Sequence, residues 1–290
     1  MEKKTIFLIF SVLFSFSVKL FAQQETQVLV YNVALGGVTS GIGAAINKKK
    51  TDKFFPTFWR GFKYGCIGGS FLYGGKKLSY LINKQNNLAW GWPSKLVHSY
   101  GSTIMETASK NEKDVFSKLS FPVGFIRMNF SFKKDIKFNA QLQPGSLASF
   151  VVNASYGKFK SRESLLIGTP VFSSDSYFIQ NREGFAIINT FTYSEFLTTK
   201  KYEIIAHEHI HILQEREYLV MNTWFKKPLD KQLGKLNKSS EKLARLVYLD
   251  IPYNYGFYTL LKQKSNCYFK NHFEFEAKRF ATNQFVQKCF

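Results

Sequence analysis

The spacing of apolar positions near the start of the chain predicts helices. Residues 27–46 and 58–82 are apolar and rich in small residues, with glycines at the small-xxx-small spacing that lets two helices approach closely. Lys63, Lys76 and Lys77 argue against a bilayer span in the second stretch. We expect a close-packed helical pair in the domain core, with a position on a membrane surface as the alternative. Residues 95–111 predict another helix.

The middle of the chain changes to a strand-like pattern between about residues 119 and 192. Apolar and polar residues alternate there, and turn residues interrupt the runs at Lys133–Asp135 and Pro144–Gly145. The following stretches are predicted as successive strands: 121–132, 133–145, 146–157, 164–174 and 183–195.

After Thr198 the pattern becomes helical again. Ile204, Ile205, Ile212 and Leu213 recur at helical spacing, and Thr198 or Thr199 can cap the start of this helix. The remaining predictions are a stop at Pro228, a helix in the second half of 231–249, a turn-rich break at 251–256 and a helix over 271–288 capped by Asn271.

The first 22 residues predict export. A basic MEKK precedes the apolar run TIFLIFSVLFSFSV, and Ala22 is a small residue suited to the position before a cleavage site. We therefore expect a cleaved signal peptide at 1–22, with an uncleaved anchor as the alternative. The predicted organisation is completed by a Gly-rich helical segment, 23–115, and a second region, 116–290. The mature chain is expected in the periplasm, in association with the outer membrane, or secreted.

The charge of the chain predicts anionic neighbours. Its formal net charge is +20 and its pI is about 9.7, which makes an anionic membrane surface a possible partner. Most lysines are scattered, apart from the run at 48–50, so a solvated basic face is the simpler interpretation. Nucleic acid is not expected as a partner of an exported chain.

The chain has three cysteines. Cys267 and Cys289 are the candidate disulfide pair, and Cys66 would then be a free thiol.

The stretch EIIAHEHIHILQERE, 203–217, contains three of the five histidines. His207 and His211 are four residues apart, so on a helix they point the same way and can bind one zinc ion. Glu208 lies about 100° further round the helix and can act as general base toward a water that the zinc activates. His209 lies about 200° from His207 and is expected to be packed elsewhere or to support the site indirectly.

Two histidines do not complete a catalytic zinc site, which usually has three protein ligands. Gln214 stands where some zinc enzymes have a glycine that turns the chain toward a third histidine. Glu215 shares the histidine face but lies one turn beyond His211, on the side away from His207. The third ligand is therefore expected from another helix, and Glu274, Glu276 and His272 are the candidates.

The stretch FEFEAKRFA, 273–281, resembles the gluzincin class of zinc metallopeptidases when it is taken together with the His-Glu-x-x-His motif. In membrane-associated members the pattern is Glu-x-Glu-Ala-Asp, and the first glutamate is the ligand. The resemblance implies that Glu274 is the third ligand, that Glu276 is its neighbour and that Ala277 permits close approach of the two helices. Lys278 departs from the pattern, so the supporting carboxylate is absent or comes from another residue.

The resemblance covers about residues 185–285 and implies further features. The segment 183–195 would include an edge strand that pairs with an extended peptide substrate, although an ordinary core strand has the same pattern. A tyrosine can stabilise the oxyanion in such enzymes, and the sequence does not choose among the candidates Tyr218, Tyr253, Tyr255 and Tyr258.

These inferences predict an α+β protein with a zincin-like C-terminal half, an antiparallel β-rich segment before it and Gly-rich helices at the start. The predicted activity is hydrolysis of a peptide bond in a peptide or protein substrate, with Zn²⁺ as cofactor. The alternative is a non-enzymatic basic cell-envelope protein with a structural or vestigial metal site. The motif specifies an activated water and leaves the type of hydrolysed bond open.

Overall fold

A computed structural model describes residues 25–175, 183–196, 200–225, 246–261 and 271–284. Within these ranges the chain has a mixed α+β fold with eight α-helices and two small sheets. The helices are α1 (Glu25–Ile46), α2 (Phe54–Lys84), α3 (Gly91–Ser109), α4 (Pro144–Tyr156), α5 (Ser161–Ile167), α6 (Lys201–Tyr218), α7 (Tyr253–Leu261) and α8 (His272–Thr282). The strands are β1 (Lys118–Val123), β2 (Ile126–Phe132), β3 (Ile136–Leu142), β4 (Lys158–Phe159), β5 (Val171–Ser174), β6 (Gly184–Ile187) and β7 (Thr190–Ser194).

The predicted close-packed helical pair is confirmed in α1 and α2. The two backbones approach so closely that a Cβ atom at Gly36 would collide with the carbonyl oxygen of Gly65, and the reverse also holds. α3 packs against α2, and its Gly101 lies against the main chain of Gly68 on α2. The small residues at these positions therefore let three helices form a tight layer.

Among the described helices, only α1 has the length and hydropathy that would allow it to cross a membrane. In its most apolar stretch, 56% of the residues are buried inside the protein, and its glycine face packs on α2. Core helices of soluble proteins and signal sequences have the same length and hydropathy, so these two properties alone do not place α1 in a membrane.

The first sheet confirms strand structure in this region, but the predicted single strand 121–132 is a hairpin whose turn at Gly124 has a positive φ of 57°. β1, β2 and β3 form an antiparallel meander in which Phe121 lies opposite Met128 and Phe130 lies opposite Phe138. β1 packs against α3 and so attaches this edge of the sheet to the helical layer.

The prediction of a strand at 146–157 is wrong, because this segment is helix α4. Pro144 stands in its first turn, where the missing N–H costs nothing. The buried face of α4 is polar: Ser149 donates to the carbonyl of Ile187, and Asn153 donates to Thr190. Val151 and Val152 are exposed. The apolar residues therefore did not mark the buried side.

Two further predictions need correction. In 164–174 the first half belongs to α5, which ends at Gly168 in a left-handed conformation (φ 75°), and only Val171–Ser174 forms a strand. In the predicted break at 251–256, helix α7 begins at Tyr253. Asn271 caps α8 as predicted, since its side chain accepts from the backbone N–H of Phe273 at 3.0 Å.

The second sheet lies against α6 and has the strand order β4-β5-β7-β6. β5 and β7 pair in parallel, and β6 returns antiparallel to β7 through a turn at Ile188 and Asn189, both of which have positive φ. β7 is buried throughout, whereas β6 is half-buried and lies at the edge of the described sheet. The segment 183–195 thus contains both an edge strand and a core strand.

Several predictions fall outside the described residues. They are the signal peptide at 1–22, the Thr198 or Thr199 cap, the stop at Pro228, the pair Cys267 and Cys289 and most of the helix within 231–249. The division at residue 115 stays a prediction. Cys66, the one cysteine in the described part, is a free, half-buried thiol.

Two glycine substitutions within α2 test the close approach. Gly65→Ala should lower the free energy of unfolding by about 1–3 kcal/mol, because the added methyl group collides with the α1 main chain. Gly74→Ala is the matched control, since the nearest atom to its added Cβ lies 3.8 Å away. It should be neutral or stabilising by up to about 1 kcal/mol, the usual gain of alanine over glycine in a helix. Urea unfolding measures both, and equal effects would contradict the packing.

Candidate metal centre

Helix α6 carries the His-Glu-x-x-His motif and places its two outer histidines together. Their rings lie 4.8 Å apart, and the two Nε2 atoms are separated by 3.1 Å. Both side chains keep some exposure, 15% for His207 and 17% for His211, although the rest of the helix is largely buried. The motif therefore opens toward solvent at one point on a buried helix.

Helix α8 brings Glu274 to the same point. α8 packs on α6 through Ala277, Phe275 and Phe280, which form one apolar cluster with Ile210 and Leu213. The Oε2 atom of Glu274 lies 3.2 Å from Nε2 of His207 and 3.3 Å from Nε2 of His211. Among the described residues, these three form the His/Cys/Asp/Glu group whose ligand atoms converge closely enough to hold a metal ion.

The triangle of ligand atoms fits a small divalent ion. Two ligands that are about 2.1 Å from a tetrahedral zinc lie roughly 3.4 Å apart, and the three separations here are 3.1, 3.2 and 3.3 Å. Two imidazoles and one carboxylate are also a donor set that zinc enzymes use. The geometry supports a metal site with these three ligands and does not identify the ion.

The electrostatics favour an ionised carboxylate at this point. Burial opposes ionisation of Glu274, but His211 and His207 outweigh it and lower the pKa of Glu274. Burial likewise opposes protonation of His211, yet the carboxylates of Glu274 and Glu208 raise its pKa to about 9. Burial lowers the pKa of His207. Near neutral pH the protonated His211 therefore balances the charge of Glu274, and a metal cation at this point would take the place of that proton.

Gln214 orients one of the histidines. Its Nε2 group donates to the carbonyl of Phe273 and to the carboxylate of Glu276, so its Oε1 atom faces His211 at 2.8 Å from Nδ1. An amide oxygen only accepts, and this assigns the proton of His211 to Nδ1. Without a metal, His211 is protonated on both nitrogens and its Nε2–H faces Glu274, so a metal bound at Nε2 would displace that proton while Nδ1–H stays on Gln214.

A buried charge network lies behind Gln214. The ammonium of Lys76 on α2 contacts Glu276 at 2.7 Å and Glu217 at 2.5 Å, and Lys76 is fully buried. Glu276 also accepts from Asn32 on α1 at 2.9 Å. Burial acts against ionisation of Glu276, but Lys76 and its other partners lower its pKa to about 2. The network connects the N-terminal helices to both ligand-bearing helices.

One lysine cannot fully balance two buried carboxylates. Burial raises the pKa of Glu217 to about 8, because Lys76 offsets only part of the cost of its charge. His98 lies on the other side of Glu217, with Nε2 at 3.3 Å from its carboxylate. The pKa of His98 is lowered well below its usual value, first by burial and then by the nearby cations Arg216 and Lys76. His98 is thus a packed histidine that is kept neutral by its surroundings.

The rival third ligands lie elsewhere. Glu276 belongs to the Lys76 network, and the ring of His272 packs on Tyr31 with centroids 4.1 Å apart. Glu215 accepts from the backbone N–H groups of Ile188 and Asn189, so it holds the β6–β7 turn.

The other two residues singled out near the motif are also placed. His209 is fully buried on the far side of α6, where its Nε2 lies 3.2 Å from the hydroxyl of Ser94. Lys278, which replaces the aspartate of the gluzincin pattern, pairs with Glu203 and contributes to lowering the pKa of His207.

Glu208 is buried against strand β6, and its charge acts on His211. A Cβ atom at Gly184 would lie 2.9 Å from Oε1 of Glu208, so only glycine at this position leaves the carboxylate where it is. Among the four tyrosine candidates, Tyr258 on α7 lies nearest the ligands, with its hydroxyl 3.3 Å from Oε1 of Glu274. Tyr218 bonds to Tyr31, and Tyr255 bonds to the Ala186 carbonyl and to Glu215.

Sequence reasoning missed the supporting residues of this site. Gln214 had one readable signal, since a polar residue three positions after a metal-ligating histidine lies on the same helix face. Gly184 opens its strand, and a glycine in a strand can mark close approach of another group. Lys76 and Asn32 gave no signal, because their partners are 200 and 244 residues away in the chain.

Comparisons with known proteins do not place this chain in a family. No family model, curated protein sequence or solved structure matches it.

The buried neutral His98 predicts a loss of stability in mild acid. Its folded pKa lies well below 6.5, so below about pH 6.5 the unfolded chain binds a proton that the folded chain excludes. Stability should therefore fall with decreasing pH by up to about 1.4 kcal/mol per pH unit from this group. In His98→Gln that contribution should vanish between pH 6.5 and 5, as measured by urea unfolding. Identical pH slopes in the two proteins would contradict it.

Proposed function

We propose that the protein is a zinc-dependent metallopeptidase with a zincin-like C-terminal half. His207, His211 and Glu274 would hold the zinc, and Glu208 would act as the general base. The observation that carries the proposal is the convergence of three ligand atoms within 3.1–3.3 Å of one another at a solvent-accessible point, with Glu208 close enough for its charge to act on His211. A structural zinc site usually has four protein ligands, whereas a catalytic one has three and an open position.

The chemistry divides between the ion and the protein. A bound zinc ion supplies a Lewis acid that lowers the pKa of water and polarises a carbonyl. Glu208 then accepts a proton from the attacking water and returns it to the leaving amine. Glu208 is buried, and its carboxylate lies against the β6 main chain at Gly184. Because Gly184 has no side chain, the carboxylate fits there. Tyr258, hydrogen-bonded to Glu274, is the tyrosine best placed to approach a reacting carbonyl.

The edge position of β6 supports a peptide as the substrate. An extended chain can add to a sheet edge through main-chain hydrogen bonds, which recognise any peptide backbone. β6 is half-buried, contacts α6 and brings Gly184 against Glu208. A peptide paired along β6 would therefore run past the general base and the ligands. If the first 22 residues direct export, the substrate is a peptide or protein outside the cytoplasm.

Two isosteric variants separate catalysis from metal binding. Glu208→Gln should keep about one zinc per chain and an unchanged fold but lose about 10²–10⁴-fold in cleavage of a peptide library, because only the base is removed. Glu274→Gln should lose zinc itself, since it removes a ligand. His209→Ala is the control for the helix face and should retain zinc. Metal content is read by elemental mass spectrometry.

The same experiment addresses the alternative of a non-enzymatic envelope protein. Full zinc content in the wild-type chain without cleavage of any peptide would favour a structural or vestigial metal site. Cleavage that Glu208→Gln leaves unchanged would remove Glu208 from the mechanism. Zinc loss in His209→Ala equal to that in Glu274→Gln would contradict the ligand assignment.

A further inference from the structure

The outer face of α2 presents a row of large apolar side chains to solvent. Phe55, Trp59, Ile67 and Phe71 are 70%, 53%, 39% and 37% exposed. They recur at intervals of four with Lys63 between them, so they form one continuous row, here called the α2 stripe. It runs over 17 residues, about 24 Å of helix, and winds round the helix by about 40° at each step of four residues. The glycine-lined face of α2 packs on α1 and α3, and Phe71 at the end of the row also contacts Gly101 and Tyr100 of α3. Phe55, Trp59, Lys63 and Ile67 are therefore the part of the stripe that is turned away from the protein.

The surroundings of the α2 stripe are strongly basic. Between positions 47 and 63 the chain has six basic residues and one acidic residue, Asp52. The carboxylate of Asp52 is engaged by the backbone N–H of Lys49 and by Asn111. From position 53 to position 105 there is no acidic residue at all. The stripe thus combines exposed aromatic surface with positive charge from the same segment and its preceding loop.

We propose that the α2 stripe docks on the surface of a membrane that contains anionic lipids. Trp and Phe side chains partition into the interfacial region of a bilayer, and basic residues beside them are attracted to anionic headgroups. Lys63 can bury its methylene chain among the apolar residues and keep its ammonium at headgroup level. Because the other face of α2 is packed inside the protein, the helix would lie in the plane of the interface and would not span it.

The charge pattern favours a membrane over a second copy of the chain. Two copies that paired through their stripes would bring together two sets of basic residues with little acidic surface to balance them. An anionic bilayer neutralises this charge and accepts the aromatic side chains at once. This inference does not depend on the metal centre.

Fluorescence quenching by lipids with brominated acyl chains tests the docking at one position in the full-length chain. Anionic vesicles of phosphatidylcholine and phosphatidylglycerol should quench the wild-type protein, and Trp59→Phe should remove most of that quenching while keeping the surface apolar. Trp90→Phe is the matched control, because the Trp90 indole donates to Gln85 at 2.7 Å away from the stripe. It should leave the quenching largely intact. The comparison isolates α2 from any contact that residues 1–24 make with the vesicles.

A charge variant tests the anionic part. Replacing Lys48, Lys49 and Lys50 by glutamine should raise the lipid concentration needed for half-maximal quenching by about fivefold per lysine. Pure phosphatidylcholine vesicles should quench Trp59 far less. Equal quenching in neutral vesicles would overturn the anionic requirement, and quenching unchanged in Trp59→Phe would overturn the docking. A blue shift of Trp59 emission with protein concentration alone, together with dimers in sedimentation, would replace the membrane by a second copy.

Discussion

The fully buried amine of Lys76 is the constraint on which the arrangement of the site depends. An unpaired charge in a protein interior is very costly, and removal of one partner from a buried ion pair costs about 3–5 kcal/mol. The ion pairs of Lys76 with Glu217 on α6 and Glu276 on α8 offset the cost of burying its charge. The glycines of α2 fix its height against α1, so Lys76 can reach both carboxylates only if α6 and α8 lie where they do. The Gly-rich helices are therefore part of the framework of the site.

The same network reaches the proposed metal ligands through short connections. Glu276 lies two residues from Glu274 on α8, and Glu217 follows His211 on α6. Gln214 joins the two helices, because its amide donates to Glu276 and its oxygen accepts from His211. Second-sphere groups of this kind fix the tautomer and the orientation of a ligating histidine. The polar residues of α6 thus divide into a ligand face, turned to solvent, and a charged face, turned to the bundle.

The sequence predicted those features that depend on residues close together in the chain. The paired histidines and Glu208 follow from helical periodicity, the cap at Asn271 follows from its side chain, and the glycine spacing predicted the α1–α2 contact. Glu274 was one of three candidates, and only the packing of α8 on α6 brings it to the histidines. The zincin-like fold and the activity remain proposals.

Other features could not be predicted from local pattern. α4 was predicted as a strand because it lies in the strand-like middle of the chain, whereas it is a helix whose polar residues Ser149 and Asn153 face the β6–β7 hairpin. Lys76 argued only against a membrane span, since its acidic partners lie far away in the chain. The buried charges pair between elements that are far apart in the chain, as Lys76 does with Glu276, so the residues near Lys76 in the sequence do not indicate its partner.

The zinc dissociation constant of Gln214→Met, measured by competition with a chromophoric chelator, tests the connection between network and metal centre most directly. Methionine nearly preserves the volume and leaves the Lys76–Glu276 ion pair in place, but it removes the acceptor of the His211 Nδ1 proton. The structure predicts about 10–100-fold weaker zinc binding with an unchanged fold, as for other second-sphere variants. Lys77→Met, next to Lys76 but exposed, should bind zinc as the wild-type protein does. Unchanged zinc affinity in Gln214→Met would contradict the claim that the buried network holds the site.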